Sequence, residues 1–312
     1  MKVAAPSRSR RTGTINDVDL RLLRVFAEIV RCNGFSAAQA SLGMTQATIS
    51  LHMRHLEERL AIRLCERGRS GFYLTDEGKQ IHSAVLDLFG SIGRFQSAVG
   101  DVQGELTGRL AFGTVDAMLS NAELSLHAAF GSFARLAPKV QLDIDIAAPQ
   151  VLSQGIMSGR YQIVLMPTQP FLPHSHAVDV FLETQNLYCG QGHPLFACPN
   201  AELTPRLLAE QSFAGRSYMP ETAICGVDFH WGAVTAHMEG TLLLLLSGAY
   251  VGFLPDHYAA ELVRRGELRV LAPDKMNFQD SFQIVHSRDR PTLAATLLAG
   301  AITAARDAGS HC

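Results

Sequence analysis

Between Phe35 and Leu60 the chain reads FSAAQASLGMTQATISLHMRHLEERL, and the spacing of its apolar residues leaves few folds open. Ala37, Ala38, Ala40 and Leu42 line a short first helix, Gly43 supplies a turn, and Ile49, Met53, Leu56 and Leu60 recur at steps of four, three and four. The second helix therefore has one buried face. Thr45 stands where an N-cap belongs, and Gln46, Ala47, Ser50, Leu51 and Arg54 point away from the stripe. A helix with short polar and basic side chains on its first turns fits a major groove, those turns toward the base edges. An ordinary helix pair with a solvated face has the same periodicity, so the residues beyond Leu60 decide between them.

Ile62, Leu64 and Cys65 lead into Arg67-Gly68-Arg69-Ser70-Gly71 and then Phe72-Tyr73-Leu74-Thr75, two short apolar runs joined by a Gly-rich basic turn. That pattern predicts a β-hairpin wing. Arg67 and Arg69 near its tip suit the sugar-phosphate backbone, where a guanidinium pairs with phosphate oxygens but carries little sequence information. Affinity is expected from the wing and specificity from the helix.

Asp19-Leu20, Leu23, Phe26, Val30, Phe35-Ser36-x-Ala38, Leu42, Thr45-Gln46-x-x-Ile49-Ser50, Leu56-Glu57-x-x-Leu60, Leu64, Arg67 and Leu74-Thr75-x-x-Gly78 follow one another in a specific order and spacing. In these residues the chain resembles the N-terminal domain of LysR-type transcriptional regulators, strongly up to Gly78 and more loosely beyond. The resemblance implies an α/β protein with an N-terminal all-α winged helix-turn-helix and a two-lobed, periplasmic-binding-protein-like effector domain. The corresponding division is a flexible basic arm at 1–15, the DNA-binding domain at 16–78, a linker (dimerisation) helix at 79–103 and the effector-binding domain at 104–312. Lobe I would comprise 104–167 and 275–312, and lobe II 168–274.

Carried over residue by residue, the resemblance implies DNA contact at Thr45, Gln46, Ala47 and Ser50, with Arg54 and Arg69 on phosphates. Three positions depart from the family. Cys65 replaces a usual Phe, a packing change, while His52 and Leu51 stand where polar or basic residues are common and alter the reading face. Leu51 could instead touch a thymine methyl.

Charge is divided along the chain. Residues 1–79 carry 13 Lys and Arg against 8 Asp and Glu, and residues 80–312 carry 14 against 21, so a net charge of −2 hides a basic head and an acidic remainder. Such asymmetry points to nucleic acid. Ser7-Arg8-Ser9-Arg10-Arg11 reads as a solvated tail able to add phosphate contacts. At 312 residues and 47% hydrophobic content the chain can bury two cores. No secretory pattern opens it and no apolar run reaches membrane-spanning length, so a cytoplasmic protein without membrane partners is expected. The six cysteines form no C-x-x-C pair and read as reduced thiols.

From Thr75 helix-compatible sequence runs to about Asp101, with Ile81, Val85, Leu88, Ile92, Phe95 and Val99 at alternating steps of four and three. This a/d seam, on a helix about 38 Å long at 1.5 Å per residue, suits pairing with a second copy; the alternative is packing on the chain's own winged head. A dimer would place two recognition helices in successive major grooves of an inverted repeat.

Beyond Gly104 strands alternate with helices. A strand at Arg109–Gly113, helix at Asn121–Leu136, strand at Val140–Ala147, helix at Pro149–Gly159 and strand at Tyr161–Met166 make a βαβαβ unit. In QLDIDIA the alternation assigns Leu142, Ile144 and Ile146 to one face and Asp143 and Asp145 to a solvated one. A second unit includes a short strand at Leu187-Tyr188-Cys189, the family's G-H-P-L segment at Gly192–Leu195 and a helix at Leu203–Glu210. Its remainder is a helix–glycine–strand–Pro step from Glu239 to Pro255, with Tyr250 in place of a usual second glycine. A strand at Phe282–His286 and a helix at Pro291–Asp307 close the chain. Crossings near Met166-Pro167 and Asp274 would leave a cleft between lobes, the default effector site.

By register with the family, Thr114, Val115, Asp116, Pro149, Gln150 and Met166 face this cleft from lobe I, and Arg216, Ser217 and Tyr218 from lobe II. Arg216 is either the cation anchoring an anionic effector, its fork matching a carboxylate, or a surface arginine. No metal is expected, since His174-x-His176 and His52-x-x-His55 lack a third ligand. Cys189 and Cys198 fall outside the loop where one branch of the family keeps peroxide-sensing cysteines. G-x-S-x-G, H-E-x-x-H, Walker A and G-x-G-x-x-G are missing, so no catalytic residue and no cofactor is assigned. The resemblance implies a non-enzymatic regulator whose partners are double-stranded promoter DNA, a small-molecule effector, further copies of itself as homodimer or homotetramer, and RNA polymerase. Effector binding would favour one closure of the lobes and change the bend imposed on the promoter.

Overall fold

The computed structural model describes residues 16–68, 71–103, 106–169, 176–287 and 291–309. They fall into two compact units divided between Gly90 and Ser91. The arm at 1–15, Arg69, His174 and Cys312 lie outside the described residues, as do the side chains of Arg67 and His176.

In the first unit α1 (Asp17–Arg31) opens with a reciprocal cap: Asn16 Oδ1 accepts from the backbone N–H of Val18 and Asp19, and the Asn16 N–H donates to Asp19. α2 (Ala38–Leu42) ends on Gly43 at φ +61°, and α3 (Gln46–Leu60) buries Ile49, Met53 and Leu56 as the spacing predicts. β1 (Cys65–Gly68) and β2 (Gly71–Leu74) pair antiparallel as the predicted hairpin, Arg67 opposite Phe72. α4 (Asp76–Gln103) follows, with Thr75 as its cap. At Gly78 an added Cβ would lie 1.9 Å from the Leu64 carbonyl oxygen, so only glycine permits this approach of helix to wing. Arg59 of α3 forks onto the buried carboxylate of Asp19, tying α3 to α1.

The α4 stripe divides into halves with different fates, which corrects the reading of one continuous seam. Val85 is buried in the head core with Phe26, Ile49 and Leu56, and Ile81 and Leu88 pack against it. These three also line a groove of about 240 Å³ with Leu23, Leu56 and Leu60. The far half is open: Ile92 is half-buried, Val99 is exposed, and Phe95 is 70% exposed. A narrow apolar strip can serve an intramolecular face at one end and another partner at the other, and periodicity alone does not say where the change falls.

The second unit begins with the predicted βαβαβ: β3 (Thr107–Thr114), α5 (Leu126–Leu136), β4 (Lys139–Ile146), α6 (Pro149–Ser158) and β5 (Ile163–Pro167), with β3 parallel to both β4 and β5. Then come β6 (His176–Gly190), α7 (Pro205–Ala209), β7 (Ser212–Arg216), β8 (His230–Thr235), α8 (Met238–Leu246) and β9 (Val251–Pro255). α9 (Asp256–Arg264), β10 (Leu268–Val270), β11 (Asn277–His286) and α10 (Leu293–Gly309) complete it. The sheet runs β4-β3-β5-β11-β6-β9-β7-β8, with β10 also on β6.

β6 and β11 are the long strands shared by both lobes. The far end of β11 pairs with β5 and with the start of β6, while the end of β6 pairs with β9 and β10. The crossings thus lie within these strands rather than at Met166-Pro167 and Asp274, and β6 is far longer than the short strand predicted around Tyr188. One core gathers around Phe112, Phe133, Phe282 and Leu298, another around Phe213, Phe253, Leu187 and Leu208.

β4 is a second correction. Ile144 and Ile146 are 50% and 57% exposed, while Asp145 accepts from Tyr161 Oη at 2.5 Å and Arg160 Nη2 at 2.7 Å, and Asp143 pairs with Arg109. On an edge strand a carboxylate that finds a phenol and a guanidinium can turn toward the fold; Val140 and Leu142 still pack against the lobe I core, and Ile144 and Ile146 at the end of the same face stand outside.

Leu56→Ala should cost the head about 2–5 kcal/mol in denaturant unfolding. Hydrogen bonding from Arg59, with a further contribution from Asn16, outweighs burial and holds the Asp19 carboxyl below its ordinary range. Its stabilisation is therefore present above the unfolded value of about 4 and is lost as pH falls through the lower folded value. The melting temperature of Asp19→Asn should lie below that of the parent at pH 7 and converge with it in acid; a gap that stays constant below pH 3 contradicts this role.

Candidate DNA-reading head and effector cleft

Thr45 caps α3: its Oγ1 accepts from Thr48 N–H at 3.2 Å, and its backbone is extended at φ −71°, ψ 153°. Gln39 of α2 supplies a second acceptor, Oε1 taking the Gln46 N–H at 3.1 Å. With these N–H groups satisfied inside the protein, the first turn of α3 is fixed without a ligand. Thr45, Gln46, Ala47, Leu51 and Arg54 are exposed and Ser50 is half-buried, so the predicted reading residues share one accessible face. Leu51 is 41% exposed, as an apolar contact to a base would require.

His52 departs from its expectation. Its Nδ1 is buried without a hydrogen-bond partner, and burial, aided by Arg21 and His55, pushes its pKa down. The wing is positioned by Glu57, whose Oε1 accepts from the N–H groups of Leu64 at 2.8 Å and Cys65 at 3.3 Å. Cys65 is buried in the head core, consistent with a packing change.

In the second unit Thr114 ends β3 buried, with an Oγ1 that has no hydrogen-bond partner, and Val115 is buried beside it. Asp116 Oδ2 accepts from the Met238 N–H at 2.5 Å, capping α8 from the other lobe, and lies 3.9 Å from His237 Nδ1. Pro149 is buried at the first turn of α6 and Gln150 is exposed. Met166 is 0% exposed, its side chain enclosed in the lobe I core rather than open to a cleft.

Arg216 is the last residue of β7, and at 2% exposure it is no surface arginine. Its Nη1 donates to Gln185 Oε1 at 3.2 Å, Met238 Sδ at 2.9 Å and the Phe253 carbonyl at 3.3 Å. Its Cζ lies 5.5 Å from the centre of the Tyr218 ring. Burial pushes the Tyr218 hydroxyl up to about 12, with Arg216 opposing and Asp116, Asp280 and Glu183 adding to the shift. Ser217 is exposed, its N–H donating to the Thr235 carbonyl.

Gln185 Nε2 donates to Glu183 Oε2 at 2.6 Å, and Glu183 Oε1 lies 2.8 Å from His257 Nε2. His257 Nδ1 is 2.9 Å from Ser120 Oγ of lobe I. Sequence reasoning misses Glu183, Gln185, His257 and Asp280. A signal for two of them lies in Phe181, Glu183, Gln185 and Leu187, whose alternation places two polar residues on the buried face of a strand.

Among the described residues no three His, Cys, Asp or Glu side chains converge as a metal ion requires. Cys189 is fully buried, and burial pushes its thiol up to about 11, against the thiolate that peroxide chemistry needs.

Residues 20–79 match the bacterial regulatory helix-turn-helix protein, lysR family, and residues 103–306 match the LysR substrate binding domain. The chain is 33% identical over 288 residues to the HTH-type transcriptional activator BauR of Pseudomonas aeruginosa, covering 92% of this chain and 94% of that one. Its fold is similar to that of CbnR, a LysR family transcriptional regulator, at a TM-score of 0.62 and 14% identity, covering 92% and 99% of the two chains. Full-length CbnR complexed with its target DNA gives a TM-score of 0.59 at 15% identity over the same shares. With both family domains matched in order over most of its length, the chain belongs to the LysR family of transcriptional regulators.

Proposed function

We propose that the chain is a dimeric, sequence-specific regulator that reads promoter DNA with α3 and answers a small molecule held between its α/β lobes. The observation that carries the reading is the first turn of α3, whose Gln46 and Thr48 N–H groups are capped internally while Thr45, Gln46, Ala47 and Arg54 remain exposed. Gln46 and Ala47, with Ser50 and Leu51, are assigned to base edges, and Arg54, with Arg67 and Arg69 of the wing, to phosphates. In the cleft, Thr114, Asp116, Arg216 and Tyr218 are assigned to the effector, the Arg216 guanidinium holding its anionic group.

Two exposed apolar surfaces are available for contact between copies: the Phe95–Val99 half of α4, and Ile144 and Ile146 on edge strand β4. One suffices for a dimer, and both together build a tetramer. Among the described residues no helix is long and apolar enough to cross a membrane. Action in the cytoplasm and contact with RNA polymerase complete the proposal.

Fluorescence anisotropy on the chain's own upstream DNA tests the reading assignments. Gln46→Ala should weaken the specific site by about 1–3 kcal/mol and leave random DNA almost unaffected. Arg54→Ala should weaken both and lower the salt slope by about one. Equal losses on specific and random DNA for Gln46→Ala would remove it from the base-reading set. Phe95→Glu should shift the sedimenting species toward monomer, whereas an unchanged species would assign that face to another role.

A further inference from the structure

Around Tyr218 the cleft gathers charges of both signs that do not satisfy one another. Arg216 uses only Nη1 for hydrogen bonds, all to neutral acceptors, and its enclosed Nε has no partner. The Nε–Nη2 edge is the one a carboxylate takes side-on with two parallel bonds, as Glu28 does with Arg31 in this same chain. In Arg216 that edge is unused among the described residues. The Thr114 hydroxyl is likewise buried and unpartnered.

On the acidic side Asp280 of β11 stands directly opposite Glu183 of β6, and like charges so placed repel. Glu183 already has two hydrogen-bond partners, whereas no hydrogen bond or ion pair joins the Asp280 carboxyl to any described residue. Burial, and secondarily Glu183, pushes the Asp280 carboxyl up, while Arg216 pulls it down. Arg216 shares Gln185 with Glu183 and Met238 with Asp116, and Asp280 lies across the strand pair from Glu183, so the guanidinium and the three carboxylates share one neighbourhood. Among the described residues no ion pair links the guanidinium to any of the three carboxylates.

We propose that the effector is a small zwitterion, its carboxylate taken by Arg216 and Thr114 and its ammonium group by Asp280 and Glu183. The proposal rests on the reading of the cleft as the effector site and narrows the chemical class that fits it. An anion alone would leave Asp280 facing Glu183 uncompensated and would itself meet three carboxylates. A cation alone would leave the Arg216 edge and the Thr114 hydroxyl unpaired, and a buried polar group without a partner is costly. A zwitterion adds no net charge to the enclosed region and gives each end charge-assisted hydrogen bonds.

The test is calorimetric titration of the full chain with glycine, the linear ω-amino acids up to 6-aminohexanoate and the unbranched L-α-amino acids. Each is paired with the carboxylic acid and the alkylamine of equal length. At least one amino acid should bind, with its acid and amine analogues at least tenfold weaker. Asp280→Asn, nearly isosteric, should cost that amino acid tenfold or more while leaving the acid analogue unchanged; Arg216→Gln should do the converse with the amine. An acid that binds as tightly as its amino acid, or no binding across the panel, overturns the zwitterion. An amino acid whose affinity neither variant alters binds elsewhere, which contradicts the cleft reading itself.

Discussion

A guanidinium enclosed in protein loses its hydration at a cost of several kcal/mol unless its surroundings replace the contacts that water made. At the end of β7 the acceptors that meet Arg216 come from three other elements: Gln185 of β6, Met238 of α8 and the Phe253 carbonyl of β9. Holding this charge therefore fixes lobe II around a strand that lobe I also uses. Gln185 passes the constraint to Glu183 and His257, and His257 reaches Ser120 of lobe I. Met238 is bonded twice, its sulfur accepting from Arg216 and its N–H donating to Asp116 across the cleft. A ligand that changes the hydrogen bonding of Arg216 thus acts on groups that also hold the lobes together, and differential affinity for two closures needs such a linkage.

The head solves a different problem, that of presenting side chains without committing them. Four polar residues satisfy backbone groups instead of a ligand: Gln39 and Thr45 at the start of α3, Glu57 under the wing, and Thr75 between the wing and α4. Their work leaves the exposed face of α3 to Gln46, Ala47, Leu51 and Arg54. Gly78 admits the Leu64 carbonyl at a distance no side chain would allow, and Thr75 adds hydrogen bonds to the Arg63 and Leu64 carbonyls, so the wing and the base of α4 are set together.

Much of this is legible from sequence because it is local. The helix pair, its cap, the hairpin and the βαβαβ unit follow from periodicity and turn chemistry within short windows. The readings that fail depend on distant partners. Leu142 packs on the core as the alternation predicts, but Asp145 finds Tyr161 and Arg160 and β4 is an edge, so Ile144 and Ile146 stand exposed. Register puts Met166 at the cleft, yet its side chain is enclosed in the lobe I core. The α4 stripe is uniform in sequence and divided in space, Val85 covered by its own head and Phe95 open. Glu183, Gln185 and Asp280 have meaning only once β6 and β11 are seen to pair along their length, which no local pattern reveals.

If occupancy of the cleft and grip on DNA are coupled, each must change the other by the same factor. The most direct measurement is the affinity of a cleft ligand for the full chain, free and bound to its upstream promoter fragment. A difference of about fivefold or more, matched by an equal change in DNA affinity when the ligand is saturating, is the predicted result. Identical ligand affinity in the two states, with a DNA footprint that ligand does not alter, would contradict the account.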